Sequence, residues 1–325
     1  MQIAVIGAGL SGLSCASRLQ ERGHGVTVLE KARGPGGRMT TARGSDWQAD
    51  LGAQYFTARD PLFRDTVIEW QRQGIVAEWQ AHLVQLNSDG GVTPARATQR
   101  WVGGPRMSVV TRQIAMELTL VTDNRVIGVN GQPGAWRVTV ESGRACGPFD
   151  AVVVALPPGQ AAPLLEGVSP GIAAQAAAVP MLPCWSCVVG LERADPAFDA
   201  AFVIDDSTLR WLARDSSKPG RTDPGIWVLH ATADYSSAHL EEPPETVGPA
   251  LAERFRHVAG LDEEPSVLRT HRWRYSQCAA PLDAGFLLDT DRAVGVCGDW
   301  CNGDRVEGAW LSGRQLAEAL TAPGE

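Results

Sequence analysis

The feature that most constrains the fold lies at the start of the chain, where three glycines follow a short apolar stretch. Ile3–Ile6 is a predicted strand, and a helix is predicted from Leu13. Between them, Gly7 permits a sharp turn, Gly9 lets a pyrophosphate approach the backbone, and Gly12 lets the helix pack closely on the strand. The helix N-terminus then offers free N–H groups and a positive dipole end to phosphate. The pattern therefore predicts a dinucleotide site.

The next segment adds an acid at the position where such folds bind ribose. Val26–Leu29 is a predicted strand, and Glu30 follows it eighteen residues after Gly12. A carboxylate there accepts hydrogen bonds from a ribose 2′-hydroxyl and repels a 2′-phosphate. This order of elements predicts FAD or NAD as the ligand rather than NADP.

A second glycine cluster favours FAD over NAD. The loop Arg33–Met39, with the letters RGPGGRM, can press its backbone on a ligand. Arg38 in this loop offers a fixed charge to a phosphate or to a flavin ring. The following strand end, Asp50–Thr57, is expected to pass beside the isoalloxazine.

The C-terminal region supplies a matching segment. A predicted strand ends on Gly298 and Asp299, and a helix running to Leu320 follows it. We expect Asp299 to bind a ribityl hydroxyl and the helix N-terminus to lie under the flavin N1 and C2 carbonyl. The alternative is a terminal helix that only closes the domain.

Composition excludes several classes of partner. The net charge of −8 disfavours binding to nucleic acid or to an anionic membrane. No apolar stretch reaches the roughly 20 residues that span a bilayer, and Met1-Gln2 lacks the basic residues of a signal peptide. The seven cysteines are scattered and odd in number, so a cytoplasmic location is expected rather than a disulfide framework.

Metal and hydrolase sites are not expected. Cys184 and Cys187 have the spacing of a metal or redox pair, but no second pair accompanies them, which favours two core thiols. The six histidines show no ligand spacing, and no GxSxG elbow occurs.

Seven stretches spread along the whole chain together resemble the flavin-containing amine oxidase superfamily and, within it, the bacterial renalase family. They are RGPGGRMTT, DLGAQYFTARD, RWVGGPRMS, LRWLARDSSKPGR, WVLHAT, HRWRY and VCGDWCNGDRVEGAWLSG. The resemblance implies an α/β fold with a Rossmann-like FAD-binding lobe of the p-hydroxybenzoate-hydroxylase type and a second, mixed-sheet α+β substrate lobe. It also implies oxidation of the 1,2- and 1,6-dihydro isomers of NAD(P), with hydride passing to FAD and then to O₂ to give NAD(P)⁺ and hydrogen peroxide.

The resemblance also implies which residues bind non-covalent FAD. Carried over position by position, with the glycine motifs included, the contacts fall on Gly7, Gly9, Ser11, Gly12, Glu30, Gly37, Arg38, Gln54, Tyr55, Val126, Asp299 and Glu307. Val126 would act through its backbone. Cys278, in the stretch YSQC, loosely resembles a segment that binds flavin covalently in some amine oxidases, but the renalase pattern implies no such bond.

The family's lobes are interleaved along the chain. The FAD-binding lobe is predicted to take residues 1–58, 97–158 and 287–325, and the substrate lobe residues 59–96 and 159–286. Hydrophobic patterns predict helices over 61–73, 108–118 and 245–257, and strands over 125–129, 136–140, 150–155, 185–191, 209–213, 226–231 and 268–273. The turn Asn130-Gly131 is expected to join the first two of these strands.

No catalytic acid or base is expected, because a dihydronicotinamide becomes aromatic as its hydride leaves and the protein needs only to set distance, stacking and charge. The candidates for the walls of the substrate pocket are Tyr55, Trp211, His230, Trp273 and Trp300. His230 could bond a nicotinamide carboxamide or be a partly buried structural histidine.

The basic residues distinguish two functions. The lysines are Lys31 and Lys218, and Lys218 lies in a turn-rich loop expected at the surface. This leaves no lysine for flavin N5, where many amine oxidases have one. Arg210, Arg214, Lys218 and Arg221 could bind substrate phosphates or form a solvated loop. An amine oxidase acting on a small amine stays the alternative, and a non-catalytic flavin-binding protein a third possibility.

Overall fold

The computed structural model describes residues 1–87, 91–193, 196–222 and 225–322. Within these ranges the chain forms eight α-helices. They are α1 Leu10–Glu21, α2 Pro61–Arg72, α3 Ser108–Ala115, α4 Pro158–Leu165, α5 Pro170–Ala177, α6 Ala233–Ala238, α7 Pro244–Val258 and α8 Val306–Leu320. Single 3₁₀ turns lie at Gly37–Met39, Asp215–Ser217 and Asp299–Cys301.

The strands of the described ranges fall into two large and three small sheets. They are β1 Gln2–Ile6, β2 Gly25–Leu29, β3 Thr41–Arg43, β4 Gln48–Asp50, β5 Val76–Glu78, β6 Leu83–Asn87, β7 Val92–Pro94, β8 Trp101–Gly103, β9 Thr119–Val121, β10 Val126–Asn130, β11 Trp136–Val140, β12 Ala145–Phe149, β13 Ala151–Val154, β14 Met181–Gly190, β15 Ala200–Ile204, β16 Leu209–Arg214, β17 Ile226–Ala231, β18 Ser266–Cys278, β19 Leu287–Asp289 and β20 Val294–Val296.

The first large sheet is Rossmann-like, as predicted. Its strand order is β19-β20-β13-β1-β2-β9, and all neighbours are parallel except the edge strand β19. Ile3 and Val5 pack against α1 and α8 on one face, while Ala4 and Ile6 pack on the other face against the cluster that contains α4 and α5. Both faces are therefore covered, which explains why β1 is a continuous apolar run rather than an alternating one.

The second large sheet is mixed. Its order is β18-β14-β17-β16-β15-β6-β7, and only the pair β15 and β6 is parallel. One face buries Trp185, Trp227 and Leu229 against Leu251 and Phe255 of α7. The α/β fold class, with a Rossmann-like part and a mixed sheet, is confirmed.

Several predicted element bounds differ from those observed. Helix α1 begins at Leu10, three residues earlier than predicted, although Gly12 is a poor helix former. Strand β18 continues to Cys278, well past the predicted end. Strands β10 and β11 pair antiparallel, but residues 131–135 join them in place of a two-residue turn.

The division into two lobes stays a prediction. The Rossmann-like sheet takes its strands from residues 2–29, 119–121, 151–154 and 287–296, and the mixed sheet takes its strands from residues 83–94 and 181–278. Residues 323–325, at the end of the predicted FAD lobe, lie outside the described residues.

Candidate active site

A cavity of about 1540 Å³ lies between the carboxyl ends of the parallel strands and the mixed sheet. Open α/β sheets bind their ligands in this kind of crevice. Typical cavities for one small molecule measure roughly 300–1,000 Å³. The volume therefore leaves room for a cofactor and a substrate together.

The first three glycines differ in the space that the fold leaves around them. Gly7 has a φ of +107°, and a Cβ on it would come 2.6 Å from the Ala155 carbonyl oxygen. A Cβ on Gly12 would come 2.1 Å from the Gly7 oxygen, so α1 can pack on β1 only without a side chain there. A Cβ on Gly9 would meet nothing within 4 Å, and Gly9 lines the cavity. Gly7 and Gly12 therefore serve packing, and Gly9 leaves the backbone open to a ligand.

The start of α1 has unsatisfied polar groups that fit a phosphate. The Ser11 hydroxyl is buried, lines the cavity and has no hydrogen-bond partner among the residues that the structure describes. Within the described ranges, no side chain caps helix α1 at Gly9. Because an unpaired buried hydroxyl costs free energy, a phosphate oxygen at this position would stabilise the protein. This is the structural observation that fits the pyrophosphate of FAD.

Glu30 is held in a fixed orientation at the cavity wall. Its Oε2 accepts a hydrogen bond from the Ala8 backbone N–H and its Oε1 accepts one from Ala32, both at 2.8 Å. The carboxylate is buried and lines the cavity. Each oxygen keeps acceptor capacity that the predicted ribose hydroxyls could use.

Arg38 and Asp299 line the cavity as a pair. Arg38 donates from Nη1 and Nη2 to the two Asp299 carboxylate oxygens at 2.7 and 2.6 Å, and it also donates to the Ser276 carbonyl at 3.1 Å. The sequence predicted two separate contacts. The structure shows that Asp299 neutralises the charge of Arg38. Gly37, in the same loop as Arg38, lies beside Gly9 at the cavity wall.

Sequence reasoning missed a second acid near this pair. Asp304 lines the cavity, and its Oδ1 accepts a hydrogen bond from the Cys278 N–H at 2.7 Å. Burial, with the Asp299 charge, raises its pKa to about 7 despite that hydrogen bond. The sequence could have indicated this acid, because Asp304 lies in the stretch VCGDWCNGDRVEGAWLSG shortly before α8.

The remaining predicted cofactor residues also line the cavity. Glu307, in the first turn of α8, accepts hydrogen bonds from the N–H groups of Arg59 and Asp60 at 2.5 and 2.7 Å. Gln54 donates to the Asp50 and Gly52 carbonyls. Residues placed at the cavity wall, besides these, are Gly7, Ser11, Tyr55 and Val126. Of the predicted cofactor residues, only Gly12 lies outside the cavity lining.

The mixed sheet, together with Tyr55 from the segment after β4, supplies an aromatic wall. Tyr55 lies 5.6 Å from Trp211 between ring centroids, and Phe202 lies 4.9 Å from Trp211. Trp273 lies 4.3 Å from the His271 ring on β18. Phe202 was missed because no strand was predicted over β15, and His271, although inside the predicted strand 268–273, was not named as a pocket residue. The lining residues 274–277 of β18 were missed because that predicted strand ended too early.

Trp300 also borders the cavity, but its side chain is fully buried and its Nε1 donates to the Leu156 carbonyl at 3.1 Å. It lies on the Rossmann-like side, behind Gly298, rather than on the mixed sheet. It belongs to the core cluster of the Rossmann-like part, whereas Tyr55 and Trp211 belong to another cluster.

The Leu51 carbonyl connects the segment after β4 to three residues of the mixed sheet. The Leu51 carbonyl oxygen accepts hydrogen bonds from Ser186 Oγ at 2.9 Å, His230 Nε2 at 2.9 Å and Trp273 Nε1 at 3.4 Å. Since a carbonyl only accepts, His230 carries its proton on Nε2. Burial, with the nearby Arg210 charge, lowers the pKa of His230 to about 3. His230 is therefore a neutral ring whose Nδ1 can accept a hydrogen bond.

The prediction that Lys218 lies at the surface is wrong. Its side chain is fully buried, and Nζ lies 2.8 Å from Asp215, 3.1 Å from Gln54 and 3.5 Å from Asp50. Arg221 joins the same charge cluster through Asp50 Oδ2 at 2.5 Å. The loop letters DSSKPGR indicated exposure, because Asp50, the distant partner, could not be assigned to this loop from sequence.

The four basic residues of this stretch do not act together. Lys218 and Arg221 belong to the buried charge cluster, and Arg214 pairs with Asp199 at 2.6 Å. Arg210 alone among the four lines the cavity. Lys31, the other lysine, lines the nucleotide side of the cavity and approaches Gln160 at 3.5 Å.

The cysteine pair cannot act as a unit. Cys184 and Cys187 lie on opposite sides of the mixed sheet, with Cys184 at the cavity and Cys187 under α7 beside Gly248 and Thr270. Burial raises the pKa of both thiols, that of Cys187 to about 12, so neither is a reactive thiolate. All seven cysteines are free.

Neither a metal centre nor a membrane span is found in the part of the chain that the structure describes. No group of three or more His, Cys, Asp or Glu side chains there could hold a metal ion. Over the same residues, no helix combines the length and the apolar character needed to cross a bilayer.

L-amino-acid oxidases and a desaturase are among the known proteins that are similar to part of the chain. The L-amino-acid oxidase of Sistrurus catenatus edwardsii is 41% identical over 66 residues, which is 20% of this chain and 13% of that protein. The L-amino-acid oxidase of Siganus canaliculatus is 41% identical over 64 residues, or 19% and 12%. The 4,4'-diapophytoene desaturase (4,4'-diaponeurosporene-forming) of Staphylococcus aureus (strain Newman) is 46% identical over 52 residues, or 16% and 10%. The matched stretch thus spans about an eighth or less of each relative.

A solved structure is similar over nearly the whole fold. A crystal structure from Exiguobacterium sp. 255-15, named "Putative protoporphyrinogen oxidase", superposes with a TM-score of 0.78, covers 98% of both chains and is 12% identical. At this identity the likeness concerns the fold.

Two family models match consecutive parts of the chain. A model described as an NAD(P)-binding Rossmann-like domain matches residues 5–70. A model described as flavin containing amine oxidoreductase matches residues 76–321, which is most of the chain. The chain therefore belongs to the flavin-containing amine oxidoreductase family, and its cofactor is FAD.

Proposed function

We propose that the protein is a renalase-like oxidase of the 1,2- and 1,6-dihydro isomers of β-NAD(P). The reaction gives NAD(P)⁺ and hydrogen peroxide, with O₂ as the final acceptor. FAD, when bound, supplies the hydride acceptor that is afterwards reoxidised by O₂. The proposal depends on the resemblance to the renalase family and on the chemistry of the cavity wall formed by the mixed sheet.

The observation that carries the proposal is the charge of this wall. Among the described residues that line the cavity, the mixed sheet contributes aromatic rings and the arginines Arg210, Arg272 and Arg274, but neither a carboxylate nor a lysine. The acids at the cavity, such as Glu30 and Asp299, lie on the Rossmann-like side. A positive, aromatic wall suits a planar, anionic substrate better than an ammonium ion.

The chain's own residues bind and orient such a substrate. Tyr55 and Trp211 offer ring faces against which a nicotinamide can stack. His230 Nδ1 can accept a hydrogen bond from a carboxamide, because Nε2 is used by Leu51. No side chain has to remove a proton, since the hydride donor becomes aromatic on oxidation.

A second candidate is an oxidase of a small amine, in particular an L-amino acid. The family match and the L-amino-acid oxidases among the similar proteins favour it. An amino acid also carries a carboxylate that an arginine of the wall could bind. A simple monoamine lacks that group and suits the positive wall less well.

The location proposed for the protein is the cytoplasm. The seven free cysteines favour a reducing compartment, where thiols stay unpaired.

The two interleaved lobes, with the boundaries predicted from the sequence, are proposed as the domain organisation. Limited proteolysis of the holoenzyme, followed by mass analysis of the fragments, would test those boundaries.

The experiment that tests the function is anaerobic mixing of the purified yellow protein with candidate reductants. We expect 1,2- or 1,6-dihydro-NAD to bleach the visible flavin band rapidly, with NADH, the 1,4-isomer, as a matched control that bleaches it slowly. Air should then restore the band and form hydrogen peroxide in an amount equal to the substrate oxidised. Fast bleaching by a monoamine or an L-amino acid, with slow bleaching by both isomers, would contradict the proposal.

A further inference from the structure

We propose that Arg210 binds a phosphate of the dinucleotide substrate and so selects nucleotides over smaller dihydronicotinamides. This inference rests on the proposed function, because it assigns a specificity-determining residue to the same site. It concerns a phosphate at the mixed-sheet wall, separate from the phosphate site predicted at the start of α1.

The backbone of β16 directs Arg210 into the cavity. In the pairing with β17, Leu209 lies opposite Ala231 and Trp211 lies opposite His230, so a bulge falls at Arg210. The side chain lines the cavity next to Trp211. Bulges often re-aim a side chain beside a functional site.

Arg210 is the arginine of this wall without an acidic partner among the described residues. Its Nη1 donates to Gln277 Oε1 at 2.7 Å, and that amide is neutral. Arg272 and Arg274, which also line the cavity, both pair with Glu241, at 3.3 and 2.6 Å. The Arg210 guanidinium therefore keeps its full charge and most of its donors for a ligand.

The charge of Arg210 reaches the groups around it. It adds to the effect of burial in lowering the pKa of His230, and it opposes the effect of burial on the pKa of Cys184. Both residues line the cavity. A guanidinium in such a position favours an anion, and its planar fork matches two phosphate oxygens.

The test compares three substrates that carry the same dihydronicotinamide ring. They are the 1,6-dihydro forms of NAD, of nicotinamide mononucleotide and of nicotinamide riboside, which has no phosphate. We expect Arg210→Gln to raise KM for the dinucleotide about tenfold or more, since it removes a charge-assisted hydrogen bond, and to leave KM for the riboside within about twofold. Arg210→Lys should retain part of the affinity. The response of the mononucleotide identifies the phosphate that is bound.

The matched control is Arg256→Gln, which makes the same change at an arginine of α7 that pairs with Glu253 and lies outside the cavity lining. We expect it to change KM for the dinucleotide by less than about twofold. A second readout needs no turnover: inorganic pyrophosphate should shift the flavin absorption spectrum of the wild-type holoenzyme and of Arg256→Gln. An at least about tenfold higher pyrophosphate concentration should be needed to shift the spectrum of Arg210→Gln.

Three results would overturn the inference. They are an equal rise in KM for the riboside and the dinucleotide in Arg210→Gln, an equal rise in KM for the dinucleotide in Arg256→Gln, and a loss of affinity confined to L-amino acids. Failure of the wild type to oxidise any of the three substrates would instead overturn the proposed function. In that case the pyrophosphate titration still decides whether Arg210 binds a phosphate.

Discussion

The buried carboxylate of Glu30 illustrates how one side chain connects the fold and the cofactor site. It satisfies the N–H groups of Ala8 and Ala32, which belong to two different turns, while it faces the cavity. We expect Glu30→Ala to weaken FAD binding by about 1.5–3 kcal/mol, because the ribose hydrogen bonds to a charged group are lost. Fluorescence titration of the flavin-free protein with FAD measures this difference.

Two control variants separate the loss of ribose bonds from the loss of local structure. Glu30→Gln keeps the size of the side chain but sets an amide NH₂ against one of the two N–H groups, so it should also weaken FAD binding. Glu21→Gln changes an acid at the exposed end of α1 and should leave FAD binding unchanged. Unchanged FAD affinity in Glu30→Ala would mean that the acid has no part in the cofactor site.

The neutral state of His230 gives a second expectation at the scale of one residue. Its pKa is about 3 in the folded protein and about 6.5 in the unfolded chain. Between these values the unfolded chain binds a proton that the folded protein excludes, so stability rises with pH. The contribution of His230 is therefore complete above about pH 6.5 and is lost as the pH falls below it.

The measurement is urea unfolding of the flavin-free protein at pH 5.0 and 7.5. We expect the loss of stability between pH 7.5 and 5.0 to be smaller in His230→Gln than in the wild type, because glutamine can still donate to the Leu51 carbonyl but does not titrate. His271→Gln is the comparison variant. The pKa of this less buried histidine is lowered too, so its contribution to the pH dependence of stability has the same sign as that of His230. Equal pH dependence in the wild type and His230→Gln would show that His230 is not excluded from protonation.

At the scale of elements, the junction of β1 and α1 separates a packing glycine from a ligand glycine. A Cβ at Gly12 would collide with the Gly7 carbonyl, whereas a Cβ at Gly9 would point into open space at the cavity. We expect Gly12→Ala to lower the free energy of unfolding of the flavin-free protein by about 1–3 kcal/mol. Gly9→Ala should leave that free energy unchanged but lower the FAD content. Chemical unfolding and the flavin-to-protein absorbance ratio measure the two effects.

The two variants serve as controls for each other, because each adds the same methyl group within one motif. Loss of stability in Gly9→Ala would mean that its φ of −74° does not make the position tolerant of a side chain. Full FAD content in Gly9→Ala would mean that the pyrophosphate does not approach the backbone there.

Elements with a strong local pattern could be predicted from the sequence, and those that depend on distant partners could not. The strand β1 and the helix α2 were found within one or two residues, because an apolar run after Met1 and a Pro61 start are local signals. The strand β18 was cut short, since Arg274, Ser276 and Gln277 are polar residues that stay extended only by pairing with β14. Tertiary contacts outweighed propensity there.

At the scale of the whole molecule, the sequence identified which segments form the cavity but not how their charges are paired. Segments from both ends of the chain line one cavity, as their motifs predicted. That Arg38 neutralises Asp299, and that Lys218 is buried, depended on contacts between residues far apart in sequence. Such pairings follow from the topology and cannot be derived from the spacing of a single chain.

The buried charge cluster of Asp50, Asp215, Lys218 and Arg221 connects the N-terminal segment to the mixed sheet, and it sums to zero charge.

Burial alone would raise the pKa of Asp50, but Lys218 and Arg221 outweigh it and hold this pKa below its ordinary value. We expect Lys218→Met to lower the free energy of unfolding by about 3–5 kcal/mol, because it leaves an uncompensated buried carboxylate. The double variant Asp50→Asn/Lys218→Met should cost less than the sum of the two single variants, since Asp215 and Arg221 then balance each other. Arg256→Met, at an exposed pair with Glu253, is the control without a measurable change. Additive losses in the urea-unfolding cycle would mean that the two ends of the cluster are independent, and that the N-terminal segment is held to the mixed sheet by other contacts, such as the Leu51 carbonyl.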